Sequence, residues 1–197
     1  LKQLLDALAL KDCIILGHSL GTLIAAKFAQ QYPDHVSLLI LASSACGYAA
    51  TPNSELPAKA QDRLNDLDTL GKDAFAKARA SNLVFQPELN PSVVSQVERG
   101  MSQINKQGYM QATRMLASGS LEESLRHVST PTHFIIGVND RITPESQTLA
   151  AAQALESANE IKPVISRIEN AGHAVYQQQP DAFALIVTKV IEENNHA

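Results

Sequence analysis

One serine of this sequence lies in a pattern typical of catalytic serines. Residues 17–21 read GHSLG, which matches G-x-S-x-G with Ser19 at its centre. The apolar run 13–16 predicts a buried strand before the motif, and residues 20–31 predict an amphipathic helix after it. Such a turn strains the serine backbone, requires small residues on both sides and directs Oγ above the carboxyl ends of the strands. We therefore expect Ser19 to be a nucleophile, with the N–H of Leu20 as an oxyanion donor.

A serine hydroxyl needs a base, and the best-placed histidine of the sequence is His173. It follows Gly172, which would let the loop turn sharply, in a loop just beyond the predicted strand 163–168. This places it at the same sheet edge as Ser19, although a histidine in a surface loop is also common. The other five are His18, which we interpret as a packed side chain pointing away from Ser19, and His35, His127, His133 and His196.

The base needs an acid to orient it, and Asp140 is the candidate. It follows the predicted strand 132–136, whereas the predicted strand 36–41 ends in small residues without a carboxylate. The structural alternative is that Asp140 only forms a turn with Asn139. Parallel strands have their carboxyl ends at one edge of a sheet, so Ser19, Asp140 and His173 are predicted to meet there.

Composition and charge exclude several classes of protein. The chain has 197 residues, of which 45% are hydrophobic and 18% charged, and a net charge of −4 without a basic block, so nucleic acid and anionic membranes are not expected as partners. Cys13 and Cys46 show neither a disulfide framework nor metal-ligand spacing, so no metal site is expected. Two free buried thiols, together with the absence of a signal-peptide pattern, predict a cytoplasmic protein.

The order of predicted elements indicates an α/β fold with a parallel sheet and a helical insertion. Strands and helices alternate over 1–47 and again over 128–197, whereas 48–127 carries only helical patterns broken by prolines. We interpret 48–127 as a lid that covers Ser19, with these substrate-binding candidates: Tyr48, Met110, Met115 and Leu116. The chain also begins within an amphipathic pattern and without methionine, which indicates a piece of a longer protein.

Three motifs together resemble the α/β-hydrolase superfamily, in particular its carboxylesterase and enol-lactonase-like branch. They are GHSLG, the segment 137–144 that reads G-x-x-DRITP, and AGH at 171–173 followed by a Gln-Gln-Pro helix start. The order serine, aspartate, histidine is also that of the superfamily. The resemblance implies a serine hydrolase acting on a small-molecule ester, thioester or lactone, without a cofactor. Carbon–carbon bond hydrolases, acyltransferases and cofactor-free haloperoxidases with the same triad remain open, as does a truncated, non-catalytic module.

The resemblance also implies that N-terminal strands of the fold are missing from this chain. In the superfamily, four strands and a helix precede the point at which this sequence begins, and one of their loops supplies the second oxyanion donor. Without them the predicted strand 13–16 becomes an exposed sheet edge, a template for pairing with another chain. We therefore expect either a longer natural protein or a homo-oligomer that pairs this edge.

Overall fold

The computed structural model describes residues 1–159 and 161–195, so His196 of the sequence lies outside the described residues. Within them the chain forms one sheet of four strands in the order β1-β2-β3-β4, and every neighbouring pair is parallel. The strands are β1 Cys13–His18, β2 Val36–Ala42, β3 Thr132–Gly137 and β4 Val164–Ile168. The parallel α/β class and the four strands are thus confirmed.

Helices connect these strands and cover both faces of the sheet. The α-helices are α1 Lys2–Ala7, α2 Leu20–Gln31, α3 Ala58–Ala80, α4 Pro91–Met101, α5 Lys106–Ser118, α6 Leu121–Leu125, α7 Glu145–Asn159, α8 Val175–Gln178 and α9 Pro180–Asn195. Two short 3-10 helices span Pro33–His35 and Ser81–Leu83. None of the described helices combines the length and the hydropathy that a membrane span requires.

The alternation of side chains along β2 divides the core into two layers. Leu39 and Leu41 pack with α2, α6 and α7 on one face of the sheet, whereas Leu38 and Ile40 pack with α9 on the other. Successive side chains of a strand point to opposite faces, so a continuous apolar run fits a strand covered on both sides. Because β1, β2 and β3 run parallel within this sheet, their carboxyl ends lie side by side at one end of it.

The first helix and the first strand are less covered than the rest of the sheet. The periodicity predicts a helix that ends near Lys11, but α1 ends at Ala7 because Ala9 adopts a left-handed conformation with φ 52°. Of the apolar face of this helix, Leu5 is buried, while Leu1, Leu4 and Leu8 are exposed. Among the described strands, β1 pairs only with β2 and lies at the sheet edge, as expected.

The segment between β2 and β3 is helical, as its pattern predicts. Residues 120–123, which read SLEE, predict a capping box at the start of α6, and the Ser120 hydroxyl accepts the N–H of Glu123, which is one of its two hydrogen bonds. The pair Asn90-Pro91 predicts a helix start with Asn90 as N-cap and proline at N1, and α4 does begin at Pro91. The Asn90 side chain makes no capping bond, however, because it donates to the carbonyls of residues 85 and 86. Leu121 and Leu125 of α6 belong to the sheet core, so the last part of 48–127 packs with the sheet. The lid boundaries stay a prediction.

Candidate active site

The turn between β1 and α2 holds Ser19 in a strained conformation, with φ 53° and ψ −119°. Its N–H donates to the carbonyl of Ala42 at 2.9 Å, which ties the turn to the end of β2. A Cβ built on Gly17 would lie 2.7 Å from the carbonyl carbon of Gly21, so glycine is required at position 17. Around a Cβ on Gly21 there is open space, so the expectation of a small residue on both sides holds only at Gly17.

His173 lies between Ser19 and Asp140. Its Nε2 is 2.8 Å from Ser19 Oγ, and its Nδ1 is 2.9 Å from Asp140 Oδ2. An ionised carboxylate only accepts hydrogen bonds, so the Nδ1–H of a neutral His173 donates to Asp140 and Nε2 accepts the Ser19 hydroxyl. The structure therefore brings the three predicted residues into one hydrogen-bonded chain.

A loop after β3 holds the Asp140 carboxylate in place. Oδ1 accepts the N–H groups of Ile142 at 2.8 Å and Thr143 at 2.9 Å, and Oδ2 accepts the Thr143 hydroxyl at 2.8 Å. Burial tends to raise the pKa of Asp140, but the hydrogen bonds from His173 and Thr143 outweigh burial and hold it below its ordinary value. The turn is thus made with residues 142 and 143 and not with Asn139.

His18 contacts the backbone of the loop after β4 that carries His173. Its Nε2 donates to the carbonyl of His173 at 2.8 Å, and its ring centroid lies 5.0 Å from those of His173 and Tyr176. Burial, reinforced by the neighbouring His173 ring, lowers the pKa of His18 to about 4. The interpretation of His18 as a packed side chain is correct for the ring, but it misses this hydrogen bond.

Gln178 is a site-supporting residue that the sequence does not single out. Its Oε1 accepts the N–H groups of Phe85 and Gly172, both at 3.0 Å, and its Nε2 donates to the carbonyl of Phe85 at 2.7 Å. A Cβ on Gly172 would lie 2.8 Å from the Phe85 nitrogen, so this glycine serves close packing and not the sharp turn expected of it. The only sequence feature that pointed to Gln178 was the Gln-Gln-Pro helix start after the AGH motif.

A cavity of about 480 Å³ opens beside Ser19. Besides Ser19 and Leu20, its lining comprises residues 45–48, Arg63, Tyr109, Ala112, Thr113, Leu116, Ile142, Thr143 and Gln147. Leu20 is the first residue of α2, so its N–H has no acceptor within the helix and is free to face the cavity. The volume lies within the range of small-molecule sites.

Two of the four expected substrate contacts line this cavity. Tyr48 and Leu116 do, whereas Met110 and Met115 line other grooves. Which of the four residues bind substrate stays a prediction. On α5 the cavity face follows the spacing i, i+3, i+4, i+7 from Tyr109 to Leu116. Each methionine is one residue, or about 100°, away from that face.

The remaining thiols and metal ligands form no second centre in the described part of the chain. Cys13 and Cys46 are free and half-buried. Burial, with the charge of Glu122, raises the pKa of Cys46 to about 11, so its thiol is not a nucleophile at neutral pH. No group of three or more potential metal ligands is found among residues 1–159 and 161–195.

Residues 1–178 match the model of a hydrolase family described as serine aminopeptidase, S33. The chain belongs to this family of α/β-hydrolases. It is 24% identical over 201 residues to a putative 2-succinyl-6-hydroxy-2,4-cyclohexadiene-1-carboxylate synthase of Bacillus subtilis (strain 168), covering 97% of this chain and 70% of that protein. It is also 24% identical over 192 residues to 3-oxoadipate enol-lactonase 2 of Acinetobacter baylyi, covering 98% of this chain and 68% of that protein.

Solved structures of α/β-hydrolases share this fold. A thermophilic esterase from Thermogutta terrifontis superposes with a TM-score of 0.81 at 20% identity, covering 97% of this chain and 69% of that one. The enol-lactonase from Burkholderia xenovorans LB400 superposes with a TM-score of 0.79 at 21% identity, covering 96% of this chain and 69% of that one. The family and the fold class predicted from the three motifs are therefore confirmed.

Proposed function

We propose that this α/β-hydrolase cleaves an ester, thioester or lactone of a small to medium acid, with Ser19 as nucleophile, His173 as base and Asp140 as the orienting acid. The observation that carries the proposal is the hydrogen-bonded chain from Ser19 Oγ through His173 to Asp140 Oδ2, with contacts of 2.8 and 2.9 Å. The esterase and lactonase relatives support the type of bond. A cytoplasmic location stays a prediction.

The reaction would proceed in two acyl-transfer steps. Ser19 Oγ attacks the carbonyl carbon while its proton passes to His173 Nε2, and the resulting oxyanion lies near the N–H of Leu20 at the positive end of α2. Collapse of this intermediate breaks the bond to the leaving group, which takes the proton from Nε2. Water then attacks the acyl-enzyme in the same way, and the free acid leaves.

We further propose that the helical segment 48–127 acts as the lid of this site. Support comes from Arg63 on α3 and from Tyr109 and Leu116 on α5, which line the same cavity as Ser19. Ligands of open α/β sheets bind outside the carboxyl ends of the strands, which is where this segment leaves β2; it rejoins the sheet at the amino end of β3, after α6. Tyr48 and Leu116, which line the cavity, are the proposed substrate contacts.

Labelling with a fluorophosphonate probe tests the assignment of the nucleophile. The probe should modify the chain once, at Ser19, and Ser19→Ala should abolish both labelling and hydrolysis of an activated ester. Ser95→Ala is a matched control, because this exposed hydroxyl contacts only a carbonyl of its own helix. Labelling that persists in Ser19→Ala would refute the nucleophile, and an unreactive parent chain would support the non-catalytic module.

A further inference from the structure

Thr22 is a fully buried polar residue of α2 that lies three positions after Ser19. Its hydroxyl donates to the carbonyl of Ser19 at 2.6 Å and accepts the N–H of Ala45 at 3.2 Å. A hydroxyl has one hydrogen to donate and lone pairs that accept, so it can make both bonds at once. Thr22 therefore links the nucleophile turn to the loop that follows β2.

The backbone of Ser19 needs support because it is strained, with φ 53° and ψ −119°. Residues keep such sparsely populated conformations only where the surrounding contacts hold the chain in place. On the amino side, the N–H of Ser19 donates to the carbonyl of Ala42 at 2.9 Å. On the carboxyl side, the carbonyl of Ser19 accepts both the N–H of Thr22 at 3.0 Å and the Thr22 hydroxyl. Of these three contacts the hydroxyl is the one that a side-chain substitution removes.

The position of Ser19 also gives its hydroxyl a competing hydrogen bond. Ser19 is the N-cap residue of α2, and a serine hydroxyl there ordinarily accepts the N–H of the second or third helical residue. A capping Ser19 would direct Oγ toward the N–H of Thr22 and away from His173. In the structure the Ser19 carbonyl occupies that N–H, and Oγ lies 2.8 Å from His173 Nε2. The Thr22 hydroxyl supports this arrangement, because it holds the same carbonyl in place.

We propose that Thr22 is a positioning residue that keeps the Ser19 hydroxyl directed at His173 and away from the start of α2. The inference rests on the proposed function, in which Ser19 is the nucleophile. Thr22 is fully buried, so it acts through the backbone of Ser19 and not on the substrate. Without its hydroxyl, Ser19 spends less time in the reactive arrangement, so attack slows while binding of the substrate changes little.

The rate constant of fluorophosphonate labelling tests the proposal, because it reports directly on attack by Ser19. Thr22→Val removes the hydroxyl and keeps the branched shape, and we expect labelling to slow roughly tenfold, as for the loss of one hydrogen bond. Thr22→Ser keeps a hydroxyl and should restore most of the rate. For an activated ester, the kcat of Thr22→Val should fall by a similar factor while KM stays nearly unchanged.

Thr132→Val is the matched control, because it removes a buried hydroxyl that donates to the carbonyl of Thr130 at 2.9 Å. Thr132 lies at the amino end of β3, whereas Ser19 follows the carboxyl end of the parallel strand β1, so this variant should keep the parent rate. Thr22→Ala removes the hydroxyl in a second way and favours the helix, which keeps the test decisive if valine at position 22 prevents folding.

Three results would overturn the role of Thr22. They are labelling at the parent rate in a Thr22→Val or Thr22→Ala chain with an unchanged circular-dichroism spectrum, a Thr22→Ser chain as slow as Thr22→Val, and equal slowing in Thr132→Val. Failure of the proposed function shows differently, as a parent chain that the fluorophosphonate does not label.

Discussion

At the scale of single residues, the arrangement around Asp140 decides which proton His173 carries. The carboxylate accepts hydrogen bonds from the backbone of residues 142 and 143, from the Thr143 hydroxyl and from His173 Nδ1. These bonds favour the charged carboxylate, which can only accept from Nδ1. The lone pair of Nε2 is therefore directed at Ser19.

Asp140→Asn tests this role. The amide can donate to Nδ1, which reverses the tautomer of His173 and leaves a hydrogen on Nε2 where the Ser19 proton should go. We expect turnover of an activated ester to fall by about 10⁴-fold with a nearly unchanged KM. Steady-state kinetics measure both constants, and equal turnover would place the acid elsewhere.

His18 predicts a dependence of stability on pH. Burial lowers the pKa of His18 from 6.5 to about 4, so the unfolded chain binds the proton more tightly than the folded chain. Its contribution is complete above pH 6.5 and is lost as the pH falls to 4, by at most about 3 kcal/mol. His133 contributes in the same direction, because burial also lowers its pKa.

Urea unfolding between pH 4 and pH 6.5 measures this loss. His18→Gln keeps a donor for the carbonyl of His173 but cannot titrate, so its free energy of unfolding should fall less steeply toward acid pH. His127→Gln, at an exposed position paired with Glu123, is the control and should keep the slope of the parent. An equal slope in His18→Gln would show that His18 does not account for the loss of stability at acid pH.

At the scale of elements, the sequence pattern predicted those features of the fold that depend on contacts between residues close together in the chain. The bounds of α2 were predicted because Ser19 begins the helix at a strained turn and the residue pair 32–33 ends it. The position of Asp140 and His173 after their strands follows from the parallel sheet. The cavity face of α5 was not predicted, because apolar side chains lie on more than one side of this helix and packing selects among them.

The contact between α8 and the segment around Phe85 is another feature that the sequence could not supply. Gln178 and Phe85 lie far apart in the chain, and their hydrogen bonds join the helical segment 48–127 to the part of the chain that follows His173. No spacing rule relates such distant polar groups. Burial strengthens the contact, because Gln178 is 8% exposed and its hydrogen bond from the N–H of Gly172 is buried.

Gln178→Leu should therefore destabilise the chain by about 2–4 kcal/mol, since it leaves the N–H groups of Phe85 and Gly172 without an acceptor. Urea unfolding measures the change. Gln179→Leu is the matched control, because its side chain makes only one exposed bond of 3.3 Å to the carbonyl of Asn170. A similar loss in both variants would show that the buried bonds are not the cause.

At the scale of the whole molecule, helices cover the two faces of the sheet, but within residues 1–159 and 161–195 no strand pairs with the outer edge of β1. Leu16 on β1 is 42% exposed, and Ile24 on α2, which is 48% exposed, lines the same groove as Leu1. An open edge with apolar neighbours favours pairing with another strand. The sequence predicted this edge from the resemblance, because a nucleophile strand in this family normally has neighbours on both sides.

We therefore expect the 197-residue chain, studied by itself, to associate through β1, so that light scattering gives a mass above 21.2 kDa. Leu16→Lys places a charge on the exposed strand and should shift the population toward the monomer, because a lysine on an edge opposes pairing. Leu185→Lys is the control, since Leu185 is 71% exposed on α9, a helix that contacts β4 at the other end of the sheet. A parent chain that is monomeric at 21.2 kDa, unfolds cooperatively and hydrolyses esters would refute the edge as an association surface.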